Sequence, residues 1–303
     1  MSLLTNVDVR TRTTSGTDNL SAIRRRIVLS APKVDRALPW TNHESPWAIL
    51  VSEVMLQQTQ VVRVLEPWRK FLESFPTPEA CANASQADII RHWAGLGYHR
   101  RARSLHGAAI MICSDFGGKV PTSPDLLRRL PGVGEYTANA VASFAFGEPV
   151  AVLDTNVGRV LSRALANRPL QRREAQDLAQ QLLPKAKSVI FNQAMLDLGA
   201  QYCRAVPKCE ECPIAALCRW RQEGGVDPSK KSAGVSRPQS PFEGSRRQAR
   251  GRIIRALGIE TLSLSQARAV VGEKLGDQTL DVLSDLRSDG LIEERNGRWS
   301  LLA

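Results

Sequence analysis

Between Trp47 and Gln57 the apolar residues Ile49, Leu50, Val54 and Leu56 recur at helical spacing, and Ser45-Pro46 ahead of them supplies an N-cap and a first-turn proline. The pattern predicts a helix that lies mostly inside. A second helix opens at Ser123-Pro124 and runs through Leu126 and Leu127 to Leu130, where Leu130-Pro131-Gly132-Val133-Gly134-Glu135-Tyr136-Thr137-Ala138 makes a tight glycine turn into a third. Further on, the apolar run Ala151-Val152-Leu153 ends in Asp154, an N-cap candidate for a helix whose Val157, Val160, Leu161 and Ala164 face inward. Helical spacing dominates the first two thirds of the chain.

The last third reads differently. Residues 222–245 are rich in Gly, Pro, Ser and Lys, the composition of a linker. Beyond them the pattern predicts helices over Arg246 to Leu257, around Leu264 to Leu275 and over Gln278 to Ser288, then a turn at Asn296-Gly297 between Leu291-Ile292 and Trp299-Ser300-Leu301. That order suggests a small winged-helix-like α+β module. The expected organisation is a disordered tail over 1–19, a mainly α domain over 20–221, a linker over 222–245 and the module over 246–303.

Composition narrows the partners. The 303 residues carry 41 Lys and Arg against 30 Asp and Glu, a formal net charge of +11 with basic clusters at Arg24 to Arg26, Arg100 to Arg103 and Arg246 to Arg255, which points to a polyanion such as nucleic acid. No apolar run approaches the roughly 20 residues that span a bilayer, and Met1 to Asn19 lacks a signal-peptide stretch, so an intracellular protein without a membrane partner is expected.

Three features carry chemistry. Cys203, Cys209, Cys212 and Cys218 are separated by five, two and five residues, with Pro207 and Pro213 bending the backbone around the central pair. Thiolates so spaced can converge on one soft centre, and the spacing alone leaves zinc and iron-sulfur both open. A disulfide knot does not suit a long helical chain whose remaining cysteines, Cys81 and Cys113, stand alone in apolar stretches. Second, the helical neighbours of Glu53 are Ile49, Leu50, Leu56 and Gln57, a setting that favours a protonated carboxyl suited to general acid work. Third, the Gly132–Gly134 turn and the helix after it can grip a phosphate through backbone amides, while Asp154 is expected to be held ionised by backbone amides and so to stabilise a developing cation.

Glu53 within Ser52-Glu53-Val54-Met55-Leu56-Gln57-Gln58-Thr59-Gln60, the segment Gly95-Leu96-Gly97-Tyr98 with Arg101 and Arg103, the glycine hairpin, Asp154 and the four cysteines together resemble the helix-hairpin-helix glycosylases of the endonuclease III superfamily, and within it the adenine DNA glycosylases. The likeness runs from about Leu38-Pro39-Trp40 to Trp220. It implies a mainly α, two-lobed fold with duplex DNA bound across the cleft between the lobes, and a [4Fe-4S] cluster on Cys203, Cys209, Cys212 and Cys218. It also implies that Glu53 protonates adenine at N7 and later helps activate water, while Asp154 supports the sugar cation. Gln58 and Tyr98 match residues that wedge into the duplex, Tyr136 and Asn156 match pocket-lining residues, and Leu96 and Thr59 match residues that touch the opposing base. Gln57 belongs to the same DNA-binding run. The implied partner is double-stranded DNA with adenine mispaired with guanine or oxidised guanine, bound by a monomer.

Three features qualify the likeness. Bifunctional relatives carry a Schiff-base lysine where this chain has Tyr136, so a monofunctional glycosylase is expected. Adenine glycosylases typically add a large Nudix-like domain that checks for oxidised guanine, and only the short module stands here; its Arg246, Arg247, Arg250, Arg252 and Arg255 are expected to contact phosphate. The cysteine loop is also one residue shorter between its first two ligands than is usual, and its distance along the chain from Glu53 suggests that it serves DNA binding more than chemistry. Two other functions fit parts of the sequence: a uracil or thymine mismatch glycosylase of the same fold, and a non-enzymatic iron-sulfur winged-helix regulator.

Overall fold

The structure, a computed structural model, describes residues 16–41, 43–232 and 241–303. Most of the expected tail and the centre of the expected linker lie outside the described residues. The chain is mainly helical: α1 (Gly16–Val34), α2 (Pro46–Leu56), α3 (Val61–Ser74), α4 (Pro78–Ala82), α5 (Gln86–His92), α6 (Arg100–Phe116), α7 (Pro124–Leu127) and α8 (Glu135–Phe146) are followed by α9 (Thr155–Leu161), α10 (Arg172–Leu182), α11 (Ser188–Gln201) and α12 (Arg219–Glu223). The last stretch adds α13 (Arg246–Leu257), β1 (Leu262–Ser263), α14 (Leu264–Val271), α15 (Thr279–Ser288), β2 (Ile292–Arg295) and β3 (Arg298–Leu301). Two compact units share these elements, one from the N-terminal segment to Arg36 with 151–235, the other from 37–150 with 236–303.

Local chemistry accounts for the boundaries. Ser45, Thr77, Ser85, Ser123 and Ser245 each cap a helix by accepting a backbone N–H with the hydroxyl, and prolines follow three of them in the first turn. Gly117 and Gly147 end α6 and α8 in the left-handed region. α7 stops at Leu127, short of the expected Leu130, because Pro131 disfavours helical backbone at the residue before it; single turns linking Arg129 to Leu126 and Leu130 to Leu127 continue instead.

In the second unit one core runs through Leu50, Met55, Phe71, Trp93, Leu105 and Val141 and continues into Ile253, Leu257, Val282, Leu283 and Trp299 of the C-terminal elements. Those elements run helix, strand, helix, helix, strand, strand, so the three helices and the closing hairpin stand in the expected order, with an antiparallel sheet ordered β1-β3-β2. Two details differ from the sequence reading: β1 is an additional strand, and α14 ends at Val271 because Gly272 takes φ 90°. The module is also not a separate body on a linker. Arg91 Nε donates to the Gly258 carbonyl at 3.1 Å, Gln86 Nε2 to that of Gly290 at 2.8 Å and Arg103 Nη1 to that of Asp289 at 2.7 Å. Residues 222–232 are likewise ordered in the first unit, where Pro228 and Ser229 are buried and Asp227 pairs with Arg163 at 2.6 Å.

Candidate active site and thiol pocket

Every residue of α2 from Trp47 to Met55 is buried, so Glu53 is carried inside by the helix it belongs to, at 5% exposure. The end of α2 is closed by Arg101. A helix leaves its last carbonyls without intrahelical donors, and one Arg101 nitrogen, Nη1, donates to Val54, Met55 and Gln57 carbonyls at 3.0, 2.7 and 2.6 Å. Its Nη2 donates to Thr59 Oγ1 at 3.0 Å and to the Gly97 carbonyl at 3.1 Å. The guanidinium lies 5.5 Å from the Trp93 ring and 5.4 Å from the Tyr98 ring. Burial lowers the Arg101 pKa to about 10, which still leaves a cation at the negative end of the helix dipole at neutral pH.

Around this corner lie most of the residues singled out from the sequence. Gln57 Nε2 donates to the Gly132 carbonyl at 3.2 Å and to Thr137 Oγ1 at 3.1 Å, tying α2 to the glycine hairpin. Gln58 and Tyr98 are both exposed and both left-handed, at φ 55° and 49°, a strained conformation for such side chains. Gly132 is exposed at φ 76°, and a Cβ there would meet Ser104 Cβ at 2.6 Å, so only glycine fits. Gly134 is the exposed N-cap of α8, so the N-terminus of that helix faces outward at the hairpin. Tyr136 is half-buried in the first turn of α8, a helix with no lysine. Leu96 requires correction. It is 2% exposed and packs in the core, because left-handed Gly95 and Gly97 turn it inward, so it offers no surface to an opposing base. The Thr59 hydroxyl is engaged by Arg101.

Asp154, in the first unit, is the N-cap of α9 as expected. Its Oδ1 accepts the Val157 amide at 2.7 Å and its Oδ2 accepts Asn156 Nδ2 at 2.6 Å. Removal from water nevertheless outweighs these donors and nearby Arg159, and its pKa is raised rather than lowered. Asn156 Oδ1 in turn accepts Arg159 Nη2 at 2.6 Å, and Arg159 Nε donates to the Cys203 carbonyl at 2.7 Å. Gly199 makes room for this chain, since a Cβ there would fall 2.7 Å from Asn156. The cysteine loop is thus joined to Asp154 through two side chains, Asn156 and Arg159.

The four cysteines line one pocket whose walls include Val160, Ala164, Leu198 and Ile214. α9 runs into a π-helical turn, Ser162–Ala166, and that wider turn delivers Arg163 to the pocket. The 1% exposed Arg163 donates to Cys203 Sγ at 3.4 Å, the Arg204 carbonyl at 2.6 Å and both Asp227 oxygens at 2.9 and 2.6 Å, and stands 5.3 Å from the Trp220 ring. Burial pushes the Cys203 and Cys218 thiols up and Cys212 to about 11. Such a pocket favours neutral thiols until a cationic centre reverses the balance. Among the described residues no three His, Cys, Asp or Glu side chains stand close enough to share a single metal ion.

Sequence reasoning missed Arg159, Arg163 and Asp227, whose partners lie 40 to 64 residues away. It also misjudged Arg24 and Arg26, which donate to the Leu182 and Pro213 carbonyls at 2.8 and 2.9 Å.

The HhH-GPD superfamily of base excision DNA repair proteins matches residues 51–185. An adenine DNA glycosylase of Mycolicibacterium smegmatis is 40% identical over 88% of this chain and 91% of its own length, and the human adenine DNA glycosylase is 39% identical over 67% of this chain and 40% of its own. A thymine-DNA glycosylase of Aeropyrum pernix is 36% identical over 66% of this chain and 94% of its own length. Among solved structures, a thermostable thymine-DNA glycosylase matches with TM-score 0.64 at 28% identity over 69% of this chain and all of its own, and an endonuclease III trapped covalently on DNA with TM-score 0.61 at 26% identity over 70% and 99%.

Proposed function

The chain belongs to the adenine DNA glycosylases of the HhH-GPD superfamily, and from that premise we propose that it removes adenine mispaired with guanine or oxidised guanine, with Glu53 as acid and Asp154 as the carboxylate facing the sugar. It is a DNA N-glycosylase of base excision repair and binds DNA. The observation that carries the assignment of roles is Glu53, a carboxyl group buried in an apolar helix whose end Arg101 fixes.

Adenine leaves a deoxyriboside poorly until a ring nitrogen is protonated. The Glu53 carboxyl gives its proton to N7, the C1′–N9 bond breaks with its electron pair passing to the base, and positive charge develops on the sugar. Ionised Asp154, oriented by Asn156 and Val157, stabilises that cation. Water then adds to C1′ and its proton returns to the Glu53 carboxylate. Before any of this the adenine leaves the stack, which costs a few kcal/mol and less for a mispaired base. Gln58 and Tyr98, exposed on strained turns, are suited to fill the space it vacates, and Tyr136 and Asn156 match the residues that contact the base in the family. The left-handed Gly132 turn and the N-terminus of α8 at Gly134 hold a phosphate through the backbone.

Cys203, Cys209, Cys212 and Cys218 hold a [4Fe-4S] cluster in this reading. Four cysteines lining one largely apolar pocket, with Arg163 donating to Cys203 Sγ, suit a sulfur-ligated cluster. The cluster would supply a fixed charged centre for the loop; Arg163 and Arg159 hold that loop against α9. The protein acts as a monomer inside the cell, and with Leu96 buried its preference for oxidised guanine is modest.

The test is a panel of end-labelled duplexes carrying adenine opposite guanine, oxidised guanine, cytosine or thymine, and uracil or thymine opposite guanine. Alkali-labile sites at adenine opposite guanine and oxidised guanine support the reading. Cleavage confined to uracil or thymine would transfer the chain to the thymine-type enzymes.

A further inference from the structure

Tyr98 stands at φ 49° and is 38% exposed, and a bulky side chain is kept in that conformation only where its surroundings over-determine the turn. From within, Arg63 donates to the Gly95 carbonyl, and Trp93 Nε1 and Arg101 Nη2 donate to that of Gly97 at 3.2 and 3.1 Å. The C-terminal module supplies the remaining hold. Arg247 of α13 reaches the Tyr98 hydroxyl with Nη1 at 3.4 Å, while its guanidinium lies 6.0 Å from the exposed Phe242 ring. With Arg101 against its face, the Tyr98 ring is bracketed by two guanidiniums.

One corner of the same module fixes α6, which starts at Arg100, two residues after Tyr98. Asp289, just past α15, pairs with Arg250 and stands 3.6 Å from Arg100. Its carbonyl accepts Arg103 Nη1 at 2.7 Å. The next residue, Gly290, has φ 64°; a Cβ on it would fall 2.8 Å from the Arg103 guanidinium, and its carbonyl accepts Gln86 Nε2 at 2.8 Å. A carboxylate at the C-terminal end of a helix opposes the helix dipole, so Asp289 is there at a local cost that Arg100 and Arg250 offset. The arginines of α13, expected from the sequence to contact phosphate, also hold the module together. Arg246 and Arg250 are paired with Asp285 and Asp289, and Arg252 donates to the Val271 carbonyl at 3.1 Å.

We propose that the C-terminal module is a positioning device for the Tyr98 turn, with Arg247 orienting the Tyr98 hydroxyl and the Asp289–Gly290 corner fixing the first turn of α6. The proposal rests on Tyr98 acting at the vacated stack, as in the function proposed above. It therefore concerns the step in which the base leaves the helix and not the breaking of the glycosidic bond.

The experiment uses the full chain with Arg247→Ala, Arg247→Lys and Asp289→Asn. Single-turnover excision is measured on two duplexes of one sequence, with adenine opposite guanine or opposite an abasic analogue, where adenine has no partner to leave. A 2-aminopurine beside the target reports unstacking on binding. Arg247→Ala should slow excision opposite guanine about tenfold and reduce the fluorescence gain, with less than about twofold change opposite the abasic analogue and an unchanged melting temperature. Lysine keeps the charge without the planar fork and should recover part of the loss, and Asp289→Asn should show the same split between substrates. Equal losses on both duplexes with a shallower salt dependence of affinity would overturn the proposal in favour of a phosphate contact, and unchanged rates and fluorescence would overturn it outright. If the wild-type protein excised no adenine, the function reading would fail, and the fluorescence of wild type against Arg247→Ala would still decide the role of Arg247.

Discussion

Asp154 caps α9 and is also the carboxylate assigned to the sugar, and two substitutions separate the roles. Asparagine caps a helix about as well as aspartate, so Asp154→Asn should melt near the wild-type temperature while excision falls about 100-fold or more. Asp154→Ala should lose the same activity and a further ~1 kcal/mol of stability with the cap. A fully active, stable Asp154→Asn protein would remove Asp154 from the chemistry. Because burial raises its pKa, the ionised form needed for catalysis is lost sooner as pH falls than an ordinary aspartate would lose it, and the acid limb of the rate profile should reflect this. His99 gives a separate pH effect on stability. Burial first, then Arg250 and Arg101, holds it at about 4 against an ordinary value near 6.5. The folded chain keeps the ring neutral where the unfolded chain takes up a proton, so this contribution is complete above pH 6.5 and is lost as pH falls toward 4. Urea midpoints between pH 7 and 4.5 should fall more steeply for wild type than for His99→Gln.

The helices show which signals are local. α2 was readable to within a residue at each end because its cap, first-turn proline and apolar spacing all lie inside one short segment, and α13 and α15 were readable for similar reasons. Arg101 was visible as part of a basic run and of the family motif, but its role at the end of α2 was not, since the carbonyls it closes lie 44 to 47 residues away and no periodicity announces them. Arg101→Lys, without a fork to reach several acceptors, should lower stability by about 2–4 kcal/mol in urea unfolding and slow excision even where the protein remains folded. In α8 the absence of lysine leaves no amine in the position of the Schiff-base nucleophile. Borohydride should therefore trap no appreciable protein–DNA adduct, with strand breaks only after alkali; efficient trapping would show a lyase. For the cysteine loop, Cys209→Ser or Cys212→Ser should abolish broad absorption near 400 nm and about four irons per chain. The Arg159–Asn156 link predicts that these variants lose excision rate as well as DNA affinity.

Over the whole chain, the glycosylase family was legible because the motifs that carry it are short and specific, whereas the organisation around them was not. Composition marked 222–245 as a linker, yet 222–232 packs through Asp227 and Arg163, and the C-terminal module shares a core with the helices of 37–150. Such docking depends on pairs as remote as Gln86 and Gly290, 204 residues apart, which no local pattern encodes. Truncation after residue 232 should accordingly uncover the apolar residues that meet Ile253 and Leu257 and lower the melting temperature, where sequence alone suggested a removable module. The central claim is that a buried carboxyl group, Glu53, delivers the proton that releases adenine. It is tested most directly by the single-turnover excision rate of Glu53→Gln on a duplex with adenine opposite guanine, at enzyme concentrations that saturate the DNA. The account predicts unchanged binding with a rate lower by about 100-fold to 10,000-fold; excision at near the wild-type rate would contradict it.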